Sequence, residues 1–180
     1  MGDIRSVTVA LIAAVCCAAP GVSSEAVAPA VVEFQTQAAR QAALDSEFQA
    51  MLAGVDAAQL ELQNGRPAAF KALWSRADDI TLAGGFGGTI EKGWAQIGPR
   101  LDWVGAQYSN GTHTHERIAS HVSGDLAYVV QNEHIRFRVP GQPKDSTRDY
   151  RATMVFRREA EGWRIVHRQA DAQLAKQAPR

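Results

Sequence analysis

The sequence predicts an α+β fold in which helices come first along the chain and pack on one face of a curved antiparallel sheet. Two observations predict it. Up to residue 108, apolar residues recur at the helical period of about 3.6, whereas from residue 112 they recur at the strand period of about 2. The later segments are joined by short turns rich in Gly, Pro and Asp, as between consecutive antiparallel strands. No repeat and no linker divides the chain, so we predict one domain.

Three helical segments precede the sheet. The apolar stripe of the first segment has helical spacing: Phe48, Met51, Leu52 and Val55. Asn64-Gly65 is expected to end this helix, and Pro67 suits the first turn of a second helix that ends near Ala77. The third segment runs from Trp94 to Tyr108, where Pro99 predicts a break or a first-turn position.

The predicted sheet consists of one short strand, residues 80–82, and four longer ones. The longer strands are rich in β-branched and aromatic residues: Thr112 to Val122, Leu126 to Val139, Asp149 to Arg158 and Trp163 to Ala170. Tight turns such as Ser123-Gly124-Asp125 and residues 159–162 join neighbours, which predicts antiparallel hairpins.

The first 24 residues differ in composition from the rest. Arg5 precedes an almost continuous apolar run from Val7 to Ala19, and small and polar residues follow. This order is typical of a secretory signal peptide, and it predicts a periplasmic or secreted protein; the alternative is an apolar extension of a cytosolic one. The run is shorter than the roughly 20 residues of a membrane-spanning helix, so no membrane span is predicted. We expect residues 25–43 to form a spacer and 172–180 a loose tail.

Charge and cysteine content exclude several kinds of protein. The chain has 19 basic and 19 acidic residues, whereas a nucleic-acid-binding domain is expected to present a net basic face. Both cysteines, Cys16 and Cys17, lie within the predicted signal peptide. Cleavage would therefore leave a mature protein without disulfides, thiolate catalysis or cysteine metal sites.

Five glycines between residues 84 and 93 raise the question of a phosphate-binding loop. Such a loop requires Lys after its last Gly and then Ser or Thr, but here Lys92 precedes Gly93 and Trp94 takes the hydroxyl position. The dinucleotide pattern Gly-x-Gly-x-x-Gly is incomplete as well. We interpret the glycines as turn scaffold near a pocket, and predict no cofactor.

Several segments together resemble one known family. They are Asp78-Asp79-Ile80-Thr81, Gly84-Gly85-Phe86-Gly87-Gly88, Lys92-Gly93-Trp94, Tyr150-Arg151-Ala152-Thr153-Met154 and Gly162-Trp163-Arg164-Ile165-Val166-His167-Arg168-Gln169-Ala170-Asp171. They are similar to bacterial SnoaL-like, or ketosteroid isomerase-like, proteins of the nuclear transport factor 2-like superfamily, over about residues 44–171. The resemblance implies a cone-shaped sheet wrapped around a long helix, a pocket between them, and a homodimer. Relatives include isomerases, cyclases, epoxide hydrolases and simple binders, so the fold does not settle the function.

Strand alternation provides candidate pocket residues. Arg151 and Thr153 share a mostly uncharged strand face, where a guanidinium needs either a carboxylate partner or an anionic ligand. Glu133 lies in an apolar row of the preceding strand, so it is expected to pair with a cation, Arg151 being the candidate, or to have a raised pKa. We predict that Arg151 and Thr153 bind a ligand and that Glu133 is catalytic.

The remaining candidates are acidic, aromatic and imidazole side chains. Asp78 and Asp79 end the second helix; one is expected to support the turn, and Asp79 is the candidate acid or base. His167, on the face of Trp163 and Ile165, is expected either to shuttle protons or to be a hydrogen-bonded core residue. Tryptophans from different helical segments are expected to line a cavity or to pack in the core: Trp74, Trp94 and Trp103.

A metal site is not predicted. His113 and His115 share a strand face, but neither the third ligand nor a closed coordination sphere follows from the sequence, even with His121 placed on the same side.

Two functions of different classes remain open. The first is binding of a small apolar molecule in a pocket floored by the sheet, without turnover. The second is an isomerase, cyclase or epoxide hydrolase in which Asp79 or Glu133 acts as base while His167 or Arg151 stabilises developing charge.

Overall fold

The computed structural model describes residues 27–172. The predicted signal peptide, residues 1–24, lies outside the described residues, as does the tail from residue 173 on. The chain divides into two compact units at residues 37 and 38. The described part of the first unit is helical and belongs to helix α1, Val27–Leu62, which therefore covers most of the predicted spacer. The remaining elements belong to the second unit.

The second unit contains two further helices and a curved, unclosed sheet of six strands. The helices are α2, Ala68–Ala72, and α3, Trp94–Gly105. The strands are β1, Thr81–Ala83; β2, Glu91–Lys92; β3, Ser109–Ser123; β4, Leu126–Arg138; β5, Asp145–Glu159; and β6, Gly162–Asp171. Their order across the sheet is β2-β1-β6-β5-β4-β3. Neighbours are antiparallel except β1 and β6, which are parallel. The predicted α+β class is confirmed.

Two helical predictions differ from the structure. α2 has only five residues and ends at Ala72, because the chain enters a backbone bridge between Trp74 and Ile165 of β6. α3 continues through Pro99 instead of breaking there. Proline removes one helical hydrogen bond, but Ile97 and Leu101 on either side are buried in the core, and their packing holds the helix together.

The helix α1 and the inner face of the sheet form the larger core. From residue 44 on, one stripe of α1 is buried: Leu44, Phe48, Leu52, Val55, Ala58 and Leu62. The Phe48 ring meets Phe156 of β5 edge-on, with centroids 5.0 Å apart, and Trp163 of β6 at 5.4 Å. The stripe therefore faces β5 and β6, as the helical spacing predicts.

Strand β6 contains a bulge. Ile165 pairs with Phe156 and His167 pairs with Val155, so Val166 is an extra residue without a partner position on β5. One extra residue reverses the alternation of side chains between the two faces of a strand. Every side chain of β6 after Val166 therefore lies on the face opposite to that predicted from the sequence.

None of the described helices combines the length and the apolarity that crossing a membrane requires.

Candidate functional site

A cavity lies between the C-terminal end of α1, helix α3, the segment after β1, and strands β4 to β6. Its enclosed volume is about 60 Å³, and about 530 Å³ when the open space at its mouth is included. The first volume holds about four to six water-sized groups, since one water needs roughly 10–15 Å³ by this measure. Six side chains form its polar part: Gln59, Gln63, Tyr108, Glu133, Tyr150 and Arg168. Most of the others are apolar, among them Leu62, Phe70, Leu82, Phe86, Leu101 and Val104.

The C-terminal end of α1 is fixed above the sheet by β3. The Asn64 side-chain amide donates to the Gly111 carbonyl and accepts from the Gly111 N–H, both at 3.1 Å. A Cβ at Gly111 would lie 2.4 Å from the Gln63 carbonyl oxygen, so only glycine allows this approach. This junction holds Gln59 and Gln63 in place over β4.

Glu133 and Arg168 form a buried ion pair in the cavity wall. The guanidinium donates to both carboxylate oxygens, from Nη1 to Oε1 at 2.9 Å and from Nη2 to Oε2 at 2.7 Å. Oε1 also accepts from the amides of Gln131 at 2.9 Å and Gln59 at 3.2 Å. Burial alone would raise the pKa of Glu133, but the charge and hydrogen bonds of Arg168 and the Gln131 hydrogen bond outweigh it and lower the pKa to about 2. Glu133 is therefore ionised at neutral pH and accepts hydrogen bonds only.

Arg151, the predicted ligand-binding arginine, lies outside the cavity. Its side chain is 55% exposed and donates to Asp171 Oδ1 at 2.7 and 3.1 Å. The buried row of β5 is the one that holds Tyr150, so Arg151 and Thr153 belong to the outer row. The predictions that Arg151 enters the hollow and pairs with Glu133 are wrong.

Arg168 is the functional residue that strand alternation missed. A regular β6 would place it on the outer face with Arg164. The bulge at Val166 turns it inward, where its side chain is only 11% exposed. No Gly or Pro marks the bulge in the sequence. The available signal was Glu133, because a carboxylate in an apolar row needs a buried cation from another strand.

Of the three predicted catalytic residues, only Glu133 lines the cavity. Asp79 is exposed and accepts from Arg157 Nη1 at 2.7 Å, a hydrogen bond that lowers its pKa. The ring of His167, turned outward by the bulge, meets Thr81 Oγ1 at 2.8 Å, and burial lowers its pKa. The structure does not bring these three side chains together.

The three predicted tryptophans also lie outside the cavity lining. Trp74 is buried in the core, 6.4 Å from the Phe70 ring. Trp94 packs under the Arg76 guanidinium at 3.4 Å, and Trp103 is 46% exposed. Trp74 is therefore a core residue, the alternative to a cavity residue that the sequence left open.

Two tyrosines, Tyr108 and Tyr150, and the glycine Gly85 also line the cavity. Burial, supported by the neighbouring Tyr150, raises the pKa of Tyr108 far above its usual range, so its hydroxyl keeps its proton. The Tyr150 hydroxyl accepts from Arg148 at 3.4 Å. A Cβ at Gly85 would lie 2.5 Å from the Tyr150 ring, so any other residue there would displace this buried ring. The interpretation of the glycine stretch as scaffold beside a pocket agrees with this contact.

The histidines of β3 do not converge. The rings of His113 and His115 are 5.8 Å apart, but a register shift between Arg117 and Ala119 places His121 on the other face. Its predicted position on the same side is wrong. Over residues 27–172, no group of three metal-ligating side chains is close enough to hold an ion.

Comparisons with known proteins locate the chain among related folds. The SnoaL-like domain matches residues 52–171. A candidate dehydratase of the NTF2-like family from Streptomyces avermitilis is 18% identical with a TM-score of 0.64, covering 75% of this chain and 99% of its own. An NTF2-like superfamily protein from Salmonella enterica is 20% identical with a TM-score of 0.64, covering 76% and 95%. An NTF2-like protein with a cystatin-like fold from Novosphingobium aromaticivorans is 21% identical with a TM-score of 0.53, covering 86% and 94%. Among curated proteins none matches the chain in sequence.

Proposed function

The chain belongs to the SnoaL-like family, and we propose that it binds a small, mainly apolar molecule in the cavity between α1, α3 and the sheet. The observation that carries this proposal is the composition of the cavity. The lining combines mostly apolar side chains with a small number of polar ones, the composition typical of ligand sites in which apolar contacts provide affinity and polar groups fix orientation. We further propose that the protein acts in the periplasm or outside the cell, in line with its apolar N-terminal segment.

Binding is favoured over turnover because the buried carboxylate is a poor proton carrier. Glu133 is fully buried and its hydrogen bonds to Arg168 hold its pKa near 2, far from the neutral value that suits a general acid or base. Asp79 and His167 lie elsewhere and do not compensate.

A titration with toluene, a small apolar ring, tests the proposal. We expect saturable ¹H–¹⁵N chemical-shift changes around the cavity, including Gln63 and Tyr150. In Ala170→Leu, the larger side chain fills the cavity, and the changes should disappear. Ala95→Leu, on the exposed side of α3, is the matched control and should bind as the wild type does. Absence of saturable binding, or equal binding by Ala170→Leu, would overturn the proposal.

A second candidate function is isomerase-, cyclase- or dehydratase-type turnover in the same cavity. The observation that favours it is Tyr108, a cavity residue near Arg168 that keeps its hydroxyl proton; exchange of its hydrogen bond with Tyr150 would let it donate that proton to a developing oxyanion. One protein of similar fold is a candidate dehydratase. If turnover occurs, Tyr108→Phe should lower kcat about 100-fold while ligand binding persists.

The outer face of the sheet supports a proposed homodimer. Three large apolar side chains are exposed there on β3 and β4: Ile118, Leu126 and Tyr128. Half-buried Val130 on β4 and Val155 on β5, which pairs with Tyr128, lie on the same face. An exposed apolar patch with a charged border is typical of a protein interface.

A further inference from the structure

In the ion pair of the cavity wall, the charges of Glu133 and Arg168 neutralise each other. Arg168 donates to both oxygens of Glu133, so neither charge is left for a ligand of opposite sign. An anionic ligand would approach the Glu133 carboxylate, and a cationic one would approach the Arg168 guanidinium. Arg148 lies close by, but its guanidinium packs 4.2 Å from the Phe86 ring centroid and donates to Tyr150, and it does not line the cavity. The lining therefore favours a neutral ligand.

The same ion pair determines the orientation of the Gln59 amide. Because ionised Glu133 only accepts hydrogen bonds, Gln59 must present its Nε2 group to it, at 3.2 Å. The carbonyl oxygen Oε1 then points away from Glu133. Gln59 is 2% exposed, and within residues 27–172 this buried oxygen has no hydrogen-bond partner.

Gln63 lies one turn later, directly after the end of α1. Residues four positions apart share one face of a helix, and both glutamines line the cavity. Gln63 is also 2% exposed, and its Oε1 atom is likewise buried without a partner among the described residues. The two unsatisfied acceptors thus belong to neighbouring side chains of the same cavity wall, and a buried carbonyl without a donor is unfavourable.

We infer that the ligand is a neutral molecule with a hydrogen-bond donor, of the alcohol or phenol class, whose hydroxyl group donates its one proton to the carbonyl oxygen of Gln63 or to that of Gln59. The apolar part of the molecule then packs against the apolar wall that includes Leu62 and Phe70. The inference rests on the proposed binding function and specifies the chemical class that this site selects.

Phenol and toluene provide the test, because they share one ring and differ by a hydroxyl against a methyl group. In chemical-shift titrations at neutral pH, where phenol is uncharged, we expect phenol to bind about 5–10-fold more tightly, the value of one net hydrogen bond. Gln63→Met removes one of the two acceptors at similar length, and it should reduce this preference without changing the Kd of toluene. Gln142→Met, on an exposed loop, is the control and should keep the preference.

The outcomes distinguish the proposed binding function from the inferred class of ligand. Equal or tighter binding of toluene by the wild type overturns this inference while the proposed binding function stands. Absence of binding by both compounds overturns the two together. The wild-type comparison needs no variant, so it holds even where Gln63→Met fails to fold. A second pair tests the charge: tighter binding of benzoate than of its neutral counterpart benzamide would overturn the neutral-ligand assignment.

Discussion

At the scale of single residues, the buried pair Glu133–Arg168 gives the sharpest stability prediction. Glu133→Gln keeps the shape of the side chain but leaves the Arg168 guanidinium buried without a counter-charge. Breaking a buried pair in this way costs about 3–5 kcal/mol of unfolding free energy. Urea denaturation followed by circular dichroism measures it. Glu116→Gln on the exposed face of β3 is the control, and its effect should stay within about 0.5 kcal/mol.

A double variant separates the charge effect from packing. Replacing both partners, as in Glu133→Leu with Arg168→Met, removes the two charges together and avoids an unpaired buried one. We expect the double variant to be more stable than Glu133→Gln, since buried pairs replaced by apolar residues are often neutral. A double variant less stable than Glu133→Gln would contradict this account of the pair.

A second residue-scale prediction concerns pH. Burial lowers the pKa of His113, with further contributions from nearby charges. The unfolded chain, with an ordinary pKa of about 6.5, then binds more protons than the folded one between the two pKa values. Stability present above about pH 6.5 is therefore lost as pH falls, by at most about 1.4 kcal/mol per pH unit.

His113→Leu should flatten this pH dependence. Urea midpoints measured from pH 5 to pH 7.5 would show a smaller slope than in the wild type. Thr112→Leu, an exposed position on the same strand, tests whether a new leucine on β3 changes the slope by itself. An unchanged slope in His113→Leu would refute the assignment.

The same scale shows what the sequence could predict of the site. Glu133 was predictable because β4 alternates without interruption, so its apolar row is visible in the sequence. Arg168 was not, because its direction depends on the bulge at Val166, and Ile165-Val166 reads as ordinary strand. The choice of Arg151 followed from assigning the wrong face of β5 to the cavity, which only the position of α1 decides.

At the scale of elements, local chemistry predicted where segments end better than how they pair. Gly65, with a φ of 80°, follows the end of α1 as its sequence indicates. The parallel contact of β1 with β6 joins residues more than eighty positions apart, and no local pattern carries that information. The early start of α1 was also missed, because its Ala- and Gln-rich beginning, with Pro29 close to its start, was interpreted as a spacer.

Two helix glycines allow a matched element-scale prediction. Gly54 lies inside α1, and a Cβ there would meet no atom within 4 Å. Gly54→Ala should therefore raise the free energy of unfolding by about 0.5–1 kcal/mol, because alanine loses less backbone entropy in a helix. In Gly98→Ala on α3, the new methyl would lie 3.2 Å from the Trp94 ring, which should cancel the gain. Urea denaturation of both variants compares them, and a gain at Gly98 equal to that at Gly54 would contradict the packing argument.

At the scale of the whole molecule, the resemblance to SnoaL-like proteins is confirmed by the domain match and by the NTF2-like structures of similar fold. The proposed ligand cavity and the proposed dimer surface lie on opposite faces of the sheet. Its inner face is covered by helices and holds the cavity, whereas the outer face carries exposed ion pairs such as Arg151–Asp171 and the exposed apolar side chains of Leu126 and Tyr128. The first arrangement suits a small ligand, the second a protein surface.

The proposed homodimer makes the last prediction. Tyr128 is 41% exposed on the outer face of β4, next to Leu126, which is 54% exposed, and a second copy of the chain would cover both. Stable dimers typically bury about 800 Å² per partner. A lysine at the centre of such a contact would lose its hydration without gaining a counter-charge, which is strongly unfavourable. In size-exclusion chromatography with light scattering, the wild type should elute as a dimer and Tyr128→Lys as a monomer. Ile90→Lys, at an even more exposed apolar residue beside β2, should remain dimeric. A monomeric wild type at high concentration, or dimers of unchanged affinity in Tyr128→Lys, would show that this face is not the interface.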